Sequence, residues 1–400
     1  MTMLYQPPPL ERVDMAVLRL INDQRERLKM FTQNNPKRWF GSLRRATLAR
    51  AIQGSNSIEG YNASIDDVIA AIDNEPPLDE RTETFFATKG YRDAMTYIMQ
   101  AAQDSYFEFG KQFLKSLHFM MIGFDMSKEP GHWRPGAIYV INQKTGKTVY
   151  EAPGAELVDP LIAELITYLK LPLAKQEQSA IVRAAMAHLN LTMIHPFKDG
   201  NGRMARAVQT LMLGREGILH PIFSSIEEWL GQNTEEYYAV LAETGQGRWS
   251  PQRSALAWVR FCLRAHYQQA QTLLRRNEEY GLLYEEISKI AAQLKLPERA
   301  IIPLFNVALG MRLTNPRYRS ETEVTEFVAS RELKRLCEAG LLEPHGEKRG
   351  RSYVRSKRLA AVRQKVRIER PIENPYEVIA ERMSALAHLP PRDEPRLPGV

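Results

Sequence analysis

His195-Pro-Phe-Lys-Asp-Gly-Asn-Gly-Arg-Met-Ala-Arg206 is the stretch of this sequence that says most about fold and function. It holds one ionisable base, one carboxylate, two glycines and two arginines within twelve residues. An apolar run at 181–194 precedes it and a helical pattern at 205–213 follows it, which predicts a loop opening onto a helix N-terminus. Free backbone N–H groups and the helix dipole favour an anion at such a place.

The glycines, the amide and the arginines of this stretch fit a phosphate site. Gly200 and Gly202 allow backbone N–H groups to approach an oxyanion closely, and the Asn201 amide can donate to a phosphate oxygen. Arg203 and Arg206 are three residues apart, so they share one face of the helix and can bind successive phosphates. The combined spacing is far more specific than a helix end that merely carries polar residues.

The two other ionisable groups suit a metal ion and a proton transfer. Asp199 is a hard oxygen ligand, suited to Mg²⁺ that bridges phosphates. His195 can be neutral at pH 7 and accept a proton. Phe197 is predicted to lie in the core and to set the shape of the loop.

Length, composition and charge bound the class of protein. The chain has 400 residues, 44% of them apolar and 25% charged, which is typical of a soluble protein with more than one domain. We find no run of 18 apolar residues and no secretory signal pattern, and the two cysteines, Cys262 and Cys337, lie in helical patterns. These features predict a cytoplasmic protein that makes no contact with membranes.

The positive charge is concentrated near the C-terminus. Residues 330–370 contain thirteen Lys and Arg against five Glu, a surplus larger than the net charge of +7 of the whole chain. A helix at 330–339, two short strands and a basic Gly-bounded turn at 346–350 have the order of a winged helix-turn-helix. Two interpretations stay open: DNA contact through the helix at 330–336 and the turn at 347–351, or a module for dimerisation or target capture.

The rest of the chain is predicted to be mainly α-helical, with one β-hairpin. Apolar residues recur at helical spacing over 47–54, 64–72, 85–101, 107–121, 155–169, 179–194, 255–277, 283–294 and 298–309. Residues 137–141 and 147–150 are rich in β-formers, and 142–146 supplies turn residues. A lone hairpin among helices suggests a flap over a site.

The stretch from His195 to Arg206 matches every position of the motif H-x-F-x-D-G-N-G-R-x-x-R and resembles the Fic/Doc family over residues 44–249. The resemblance implies an all-helical core with a flap, and transfer of AMP from ATP to a Ser, Thr or Tyr hydroxyl of a protein, with Mg²⁺ or Mn²⁺. It also implies that His195 is the general base, that Asp199 holds the metal ion, and that Arg206 binds the γ-phosphate. The α- and β-phosphates would lie against residues 200–203.

A second segment resembles the inhibitory motif of the family, Ser/Thr-x-x-x-Glu-Gly/Asn. This inhibitory segment, Ser55-Asn-Ser-Ile-Glu59-Gly60, lies at the end of a helical pattern over 45–53. A carboxylate paired with Arg206 would withdraw that arginine from the γ-phosphate and place negative charge where the phosphate binds. The resemblance therefore implies autoinhibition by an N-terminal helix, with Ser55 and Glu59 as its site residues. The alternative is that Glu59 is a solvated residue at a helix end.

The flap and the adenine pocket are also assigned by resemblance. The flap segment Thr148-Val149-Tyr150-Glu151-Ala152-Pro153 would pair with an extended stretch of the target. Tyr237 and Tyr238 match a family segment that lines the adenine pocket, although helical spacing equally suits core residues. Pro130-Gly-His-Trp-Arg134 resembles a family turn with a structural role, and His118 and His188 are predicted to be core histidines.

These observations predict five segments: an N-terminal extension (1–43), the Fic core with inhibitory helix and flap (44–250), a helical linker (251–295), the winged helix-turn-helix (296–360), and a basic segment with a Pro-rich tail (361–400). The leading hypothesis is an autoinhibited protein adenylyltransferase, possible as a homodimer, that binds ATP and a protein target. The alternatives are an enzyme that also or instead removes AMP, and a DNA-binding regulator whose core senses nucleotide.

Overall fold

The protein is mainly α-helical, as predicted, in a computed structural model that describes residues 3–33, 37–75, 82–141, 148–171, 179–347 and 351–387. The helices up to the flap are α1 (Arg12–Gln33), α2 (Phe40–Ile58), α3 (Ile65–Ile72), α4 (Glu83–Gln103) and α5 (Lys111–Ile122). After the flap come α6 (Ala155–Lys170), α7 (Ala180–Ile194), α8 (Asn201–Arg215), α9 (Pro221–Ser224), α10 (Glu227–Gln232) and α11 (Thr234–Gly245). The C-terminal helices are α12 (Leu256–Gln293), α13 (Ile301–Ala308), α14 (Asn315–Thr322), α15 (Glu326–Glu338), α16 (Lys357–Lys365) and α17 (Pro375–Ala387).

Helices α7 and α8 form the centre of the fold and position the motif between them. Almost every side chain of both helices is buried, including the polar ones. A helix that is covered all round needs no polar face, which explains the continuous apolar run at 181–194. Helix α4 packs against α8, and α12 and α6 pack against α7. The loop from His195 to Gly200 is therefore held between two buried helices.

Several predicted helix boundaries were wrong, and two errors concern the site. Helix α2 continues to Ile58, so the inhibitory segment begins inside the helix and Glu59 is its C-terminal cap. Helix α8 begins at Asn201 rather than at 205, because Gly200 at φ 76° lets the chain turn directly into the helix. Helix α12 is one helix of 38 residues where the pattern predicted two.

The hairpin belongs to a three-stranded sheet. Strand β1 (Tyr139–Ile141) pairs antiparallel with β2 (Thr148–Glu151), as predicted, and β2 pairs parallel with β3 (Gly247–Arg248). The sequence pattern missed β3 because two residues carry no detectable period. The predicted turn at 142–146 lies outside the described residues.

The C-terminal region contains the elements predicted for a winged helix-turn-helix. Strands β4 (Leu313–Thr314), β6 (Ser352–Arg355) and β5 (Leu342–His345) form an antiparallel sheet in that order, beside α13, α14 and α15. Arg335 of α15 donates to the backbone oxygens of Leu294 and Lys295, so one basic residue of the predicted DNA-contacting helix serves an internal contact. Residues 348–350 of the basic turn and 388–400 of the tail lie outside the described residues, and DNA binding stays a prediction.

The N-terminal extension and the predicted linker pack on the core. Helix α1 was not predicted; it packs against α12, where Asp14 accepts two hydrogen bonds from Arg260, at 2.9 and 3.1 Å. Helix α12 contacts α1, α7, α10, α11 and α13. The predicted segment bounds stay predictions. Among the described residues, none of the helices combines the length and apolar character that a membrane crossing requires.

Candidate active site

His195 follows the last residue of α7 in a left-handed conformation, with φ 51° and ψ 58°. Its Nδ1 lies 3.1 Å from the carbonyl oxygen of Thr192. A carbonyl oxygen only accepts, so Nδ1 carries the proton and Nε2 of the neutral ring is left as an acceptor. Burial, with a smaller effect of Arg134, lowers the pKa of His195 below its usual value. The ring is therefore neutral at pH 7 and able to act as a base through Nε2.

Arg134 lies at the base of the flap and positions His195. Its Nε donates to the carbonyl oxygen of His195 at 2.7 Å, and its backbone N–H donates to that of Pro196 at 2.9 Å. The same guanidinium donates to the carbonyl oxygens of Gly136 and Pro153, on either side of the hairpin. Arg134 is 4% exposed. The predicted structural role of this turn is confirmed: one buried side chain joins the loop to the base of the flap.

The inner side of the loop is fixed by Phe197 and His118. Phe197 is fully buried, and its ring stacks on the His118 ring with centroids 3.7 Å apart. The backbone N–H of Gly131 donates to His118 Nδ1, so Nε2 carries the proton and donates to the Asp199 carbonyl oxygen at 2.9 Å. Burial lowers the pKa of His118 to about 4, so it is neutral at pH 7. The predictions of a core phenylalanine and a satisfied core histidine are confirmed.

Asn201 is used inside the loop. Its Oδ1 accepts from the backbone N–H of Phe197, and its Nδ2 donates to the Phe197 carbonyl oxygen, both at 2.9 Å. These two bonds close the loop from 197 to 201 and orient the first turn of α8. The predicted contact of Asn201 with phosphate stays a prediction, since in this structure the side chain is committed to backbone atoms.

Arg203 is a fully buried cation without a hydrogen-bond partner. Its side chain is 0% exposed, and none of its three guanidinium nitrogens has a hydrogen-bond partner among the residues that the structure describes. The nearest carboxylate oxygen is Asp199 Oδ1, 3.9 Å away, and the guanidinium lies 5.2 Å from the centroid of the Tyr61 ring. Leaving five N–H donors unpaired is costly, so the arrangement is suited to an anion that supplies the acceptors. Because the Tyr61 ring lies over the Arg203 guanidinium, Tyr61 has to move before such an anion can bind.

Asp199 is paired with a lysine that sequence analysis did not select. Lys128 Nζ lies 3.1 Å from Asp199 Oδ2 and donates to the Tyr61 hydroxyl at 2.9 Å and to Glu83 at 3.3 Å. Burial raises the pKa of Asp199, but Arg203 and Lys128 together lower it below its usual value. Asp199 is therefore ionised at pH 7. Lys128 is the last residue of a short 3-10 helix, Met126–Lys128, far from the motif, and no sequence spacing links it to Asp199.

A metal ion at Asp199 fits the donor set if the phosphates complete its coordination. The described residues contain no group of three or more His, Cys, Asp or Glu side chains placed to hold a metal ion. Mg²⁺ usually keeps several waters and binds through one or two carboxylates plus substrate phosphates. One ionised carboxylate beside a phosphate-binding helix end meets that requirement. In this structure the ammonium of Lys128 lies 3.1 Å from Asp199, closer than the Arg203 guanidinium at 3.9 Å.

Arg206 is held by both residues of the inhibitory segment that were singled out. Its Nε donates to Ser55 Oγ at 2.8 Å, and its Nη2 donates to the Ser55 carbonyl oxygen at 3.0 Å and to Glu59 Oε1 at 2.7 Å. The Arg206 side chain is 0% exposed and that of Glu59 is 21% exposed. Burial lowers the pKa of Arg206, but Glu59, Tyr237 and Tyr91 together raise it by more, so the pKa lies above its usual value. The alternative of a solvated Glu59 without a partner is wrong for this structure.

Gly202 leaves the space that this carboxylate occupies. A Cβ atom at position 202 would lie 2.5 Å from Glu59 Oε1 and 3.0 Å from Arg206 Nη1. The N-terminus of α8 thus faces the Glu59 carboxylate, as it would face a phosphate. Gly200, the cap of α8, is restricted on its other side, where a Cβ would meet Ile122 Cδ1 at 2.8 Å.

A second buried carboxylate lies behind Arg206 and was not identified from the sequence. Glu227, 1% exposed, accepts from the Tyr91 hydroxyl at 2.9 Å and from Thr210 at 3.3 Å. Burial raises the pKa of Glu227 to about 7, and Arg206 opposes the rise. Gly54 of α2 packs directly on this segment, because a Cβ there would lie 2.4 Å from the Glu227 carbonyl oxygen. Helix α2 is thereby fitted closely to α10.

The two tyrosines of the adenine-pocket prediction have different surroundings. Tyr237 is 1% exposed, lies against His188 with a 2.9 Å hydroxyl contact, and has its pKa raised to about 12 by burial. Tyr238 is 46% exposed, and its hydroxyl donates to the Ile58 carbonyl oxygen at the end of α2. Tyr238 is therefore the one that a ligand can reach in this structure. The prediction that His188 is a satisfied core histidine is confirmed.

The flap segment is partly committed to its own sheet. Tyr150 is buried and donates to the Met193 carbonyl oxygen at 2.8 Å, two residues before His195. Strand β2 is the middle strand, so Tyr150 and Glu151 have neighbouring strands on both sides. Only Thr148 and Val149 have an edge of β2 that β3 does not cover. Target pairing along 148–153 stays a prediction, and backbone pairing with β2 is restricted to those two residues.

Comparisons with known proteins identify the family of the motif. Residues 108–213 match the model of the Fic/DOC family. Over 135 residues the chain is 33% identical to Protein adenylyltransferase fic-1 of Caenorhabditis briggsae, covering 34% of this chain and 24% of that protein. Over 249 residues it is 24% identical to Protein adenylyltransferase fic-1 of Caenorhabditis elegans, covering 61% and 45%. The match thus spans less than half the length of these relatives.

Solved structures have a similar fold. A Fic family protein from Desulfovibrio desulfuricans G20 has a TM-score of 0.56 at 20% identity, covering 88% of this chain and 99% of that chain. A fragment of Fic-1 from C. elegans has a TM-score of 0.54 at 21% identity, covering 66% and 72%.

Proposed function

We propose that this chain, which contains a Fic/DOC family domain, is a protein adenylyltransferase that transfers AMP from ATP to a hydroxyl group of a protein. The observation that carries the proposal is Arg203, a fully buried guanidinium that has no hydrogen-bond partner among the described residues and lies 3.9 Å from Asp199 Oδ1. Buried cations require acceptors, and the α8 N-terminus adds a second positive end. The names of the relatives agree with this activity.

The proposed reaction assigns one step to each residue. His195 Nε2 takes the proton of the target hydroxyl, and the oxygen of that hydroxyl forms a bond to the α-phosphorus of ATP. The bond from that phosphorus to the oxygen bridging to the β-phosphate breaks, and pyrophosphate leaves. Arg203 and Arg206 stabilise the charge on the phosphates. Asp199 would hold a divalent ion, Mg²⁺ or Mn²⁺, which neutralises phosphate charge when bound.

Autoinhibition by the inhibitory segment is part of the proposal. It is supported by the bonds from Arg206 Nε to Ser55 and from Arg206 Nη2 to Glu59, which direct this guanidinium at the inhibitory segment. The Glu59 carboxylate also places a negative charge beside the start of α8. ATP then binds without the Arg206 contact, in an arrangement that is unproductive for transfer.

The activity is tested with ATP labelled at either the α- or the γ-phosphate, incubated with the protein and Mg²⁺. Transfer of the α-label to protein, and its loss in His195→Ala, is the expected result. His345→Ala is the control, since His345 is exposed on β5. Transfer of the γ-label only would mean phosphoryl transfer and would contradict the proposal.

Two alternatives are distinguished by the same material. An enzyme that removes AMP would release it from protein that has been labelled beforehand, in a reaction that needs no ATP. A DNA-binding regulator would retard random duplex at low salt, and the retardation would weaken as salt is raised.

A further inference from the structure

A second cavity rich in arginine lies beside the inhibitory helix. It has a volume of about 730 Å³ and is bounded by α2, α10, α12, α16 and the segment after α16. That volume is within the range of small-molecule sites. Its walls carry five arginines, Arg50, Arg275, Arg276, Arg363 and Arg367. They carry three carboxylates, Glu228, Glu279 and Glu369.

Two of the carboxylates are already paired inside the wall. Glu228 accepts from both Nη atoms of Arg276, at 3.1 and 2.6 Å, and is 7% exposed. Glu279 accepts from Arg363 at 2.6 Å. Two ion pairs therefore account for two arginines. Glu369 is exposed and can balance only one of the three remaining arginines, Arg50, Arg275 and Arg367, so the cavity keeps an excess of about two positive charges.

Several arginines of this cavity have N–H donors that make no hydrogen bond among the described residues. Arg50 makes no hydrogen bond among the described residues, and its Nε lies 3.9 Å from the nearest Glu228 oxygen. Arg363 Nη1 is buried without a partner. Burial, and then the neighbouring guanidinium of Arg276, lower the pKa of Arg50. Guanidinium groups crowded together in this way are stabilised by an anion with several acceptor oxygens.

We propose that this cavity binds a small phosphorylated molecule, with its phosphate between Arg50, Arg363 and Arg367. A phosphate dianion matches the excess charge, and its oxygens match the free N–H donors. Two of these arginines are far from Arg206 in the sequence and belong to the C-terminal part of the chain. The ligand would thus join α2 to α16 and to the segment after it.

The position of Arg50 gives this binding a consequence for the active site. Arg50 lies in α2, the helix that carries Ser55 and ends at Glu59. A ligand that holds Arg50 against α16 would stabilise α2 in the position where Ser55 and Glu59 bind Arg206. Occupancy should therefore strengthen inhibition. This consequence rests on the proposed adenylyl transfer, whereas the binding itself does not.

Binding is tested by thermal denaturation of the full chain with inorganic phosphate, at constant ionic strength set with chloride. Phosphate at ten times its Kd favours the folded state about tenfold, which raises the Tm by a few degrees. Arg50→Gln and Arg367→Gln should lose most of the shift. Arg331→Gln, an exposed arginine of α15 outside the cavity, should keep it. Repeating the titration with AMP distinguishes free phosphate from a phosphorylated metabolite.

The variants are chosen so that folding does not depend on the outcome. Neither Arg50 nor Arg367 has a hydrogen-bonded side-chain partner among the described residues, so both variants should match the wild type in Tm without phosphate. Equal phosphate shifts in all four proteins would overturn the proposal, because they would show general salt stabilisation. Loss of the shift in Arg331→Gln as well would overturn it, because net charge would then explain the effect.

Regulation is tested separately by self-labelling with ATP. Phosphate should reduce labelling of the wild type but not of Arg50→Gln or of Glu59→Gly, which lacks the inhibitory carboxylate. Equal reduction in Glu59→Gly would show competition at the active site and overturn the regulatory part. If no protein is labelled at all while the phosphate shift is present, the proposed activity fails and the binding site stands.

Discussion

Replacing Glu59 by glycine should release Arg206 and raise AMP transfer by about 10- to 150-fold. Arg206 Nη2 donates to Glu59 Oε1 at 2.7 Å, and the Arg206 side chain is fully shielded from solvent. A hydrogen bond between charged groups contributes about 1.5–3 kcal/mol, and each 1.36 kcal/mol changes a rate tenfold. The bond must break before Arg206 can bind a γ-phosphate, so its free energy adds to the barrier at limiting ATP.

The assay is the initial rate of α-label incorporation at ATP concentrations below KM. Glu59→Gln separates charge from shape, because its amide oxygen still accepts from Arg206 but has no net charge. We expect a smaller gain for Glu59→Gln, of about tenfold or less, because its amide oxygen still accepts a hydrogen bond from the charged Arg206. Glu243→Gln, an exposed glutamate of α11, is the matched control and should leave the rate unchanged.

The result that refutes this reasoning is equal incorporation by wild type and Glu59→Gly. A gain in Glu59→Gly that is matched by Glu243→Gln would refute it too, since the effect would then not come from the bond to Arg206. His195→Ala placed on top of Glu59→Gly should abolish labelling, because release of Arg206 does not supply a base.

Three further predictions concern the surroundings of the site. Lys128→Met should lower the Mn²⁺ concentration for half-saturation about fivefold in the presence of a non-hydrolysable ATP analogue, since the ion pair of Lys128 with Asp199 opposes metal binding by about 1 kcal/mol. The electron spin resonance of free Mn²⁺ measures this binding, and an unchanged titration would contradict the prediction. Burial raises the pKa of Glu227 from 4.5 to about 7, so the free energy of unfolding should decrease as the pH rises from 4.5 to 7, by about 3 kcal/mol at most. In urea denaturation at pH 5 and pH 8, Glu227→Gln should not show this decrease. A decrease that persists in the variant would disprove the assignment to Glu227. Gly54→Ala should reduce the free energy of unfolding by about 1–3 kcal/mol and raise labelling, because the added methyl group would push α2 away from α10. A Cβ atom at Gly41, in the same helix, meets nothing within 4 Å among the described residues, so Gly41→Ala should have neither effect. Equal effects of the two substitutions would argue against this contact.

The sequence identified most of the residues in the site but not their neighbours. The spacing from His195 to Arg206 fixed which side chains share a loop and a helix face, since these relations are local. Lys128 and Tyr61 reach the same place from other elements, and no periodicity connects them to Asp199. Arg50 was likewise one of many arginines until α2, α12 and α16 enclosed it.

The boundary errors have a physical pattern. Helix α8 starts at Asn201, ahead of the helical pattern at 205–213, because the core holds both sides of the loop. Helix α12 runs through Gly281 because Tyr280 and Leu283 beside it are buried, and their packing outweighs the lower helix propensity of glycine. Strand β3 exists through pairing with β2 alone. In each case tertiary contacts override the local preference.

By itself the sequence determined the helical fold class, and it predicted a base, a phosphate-binding helix end and a carboxylate in an inhibitory motif. These depend on residue type and short spacing, which act within one or two turns of chain. Only the tertiary structure decided that Glu59 meets Arg206, that Arg203 is enclosed without acceptors, and that Lys128 is the cation at Asp199. These are contacts between elements distant in the chain, and their strength depends on burial, which the packed fold alone sets.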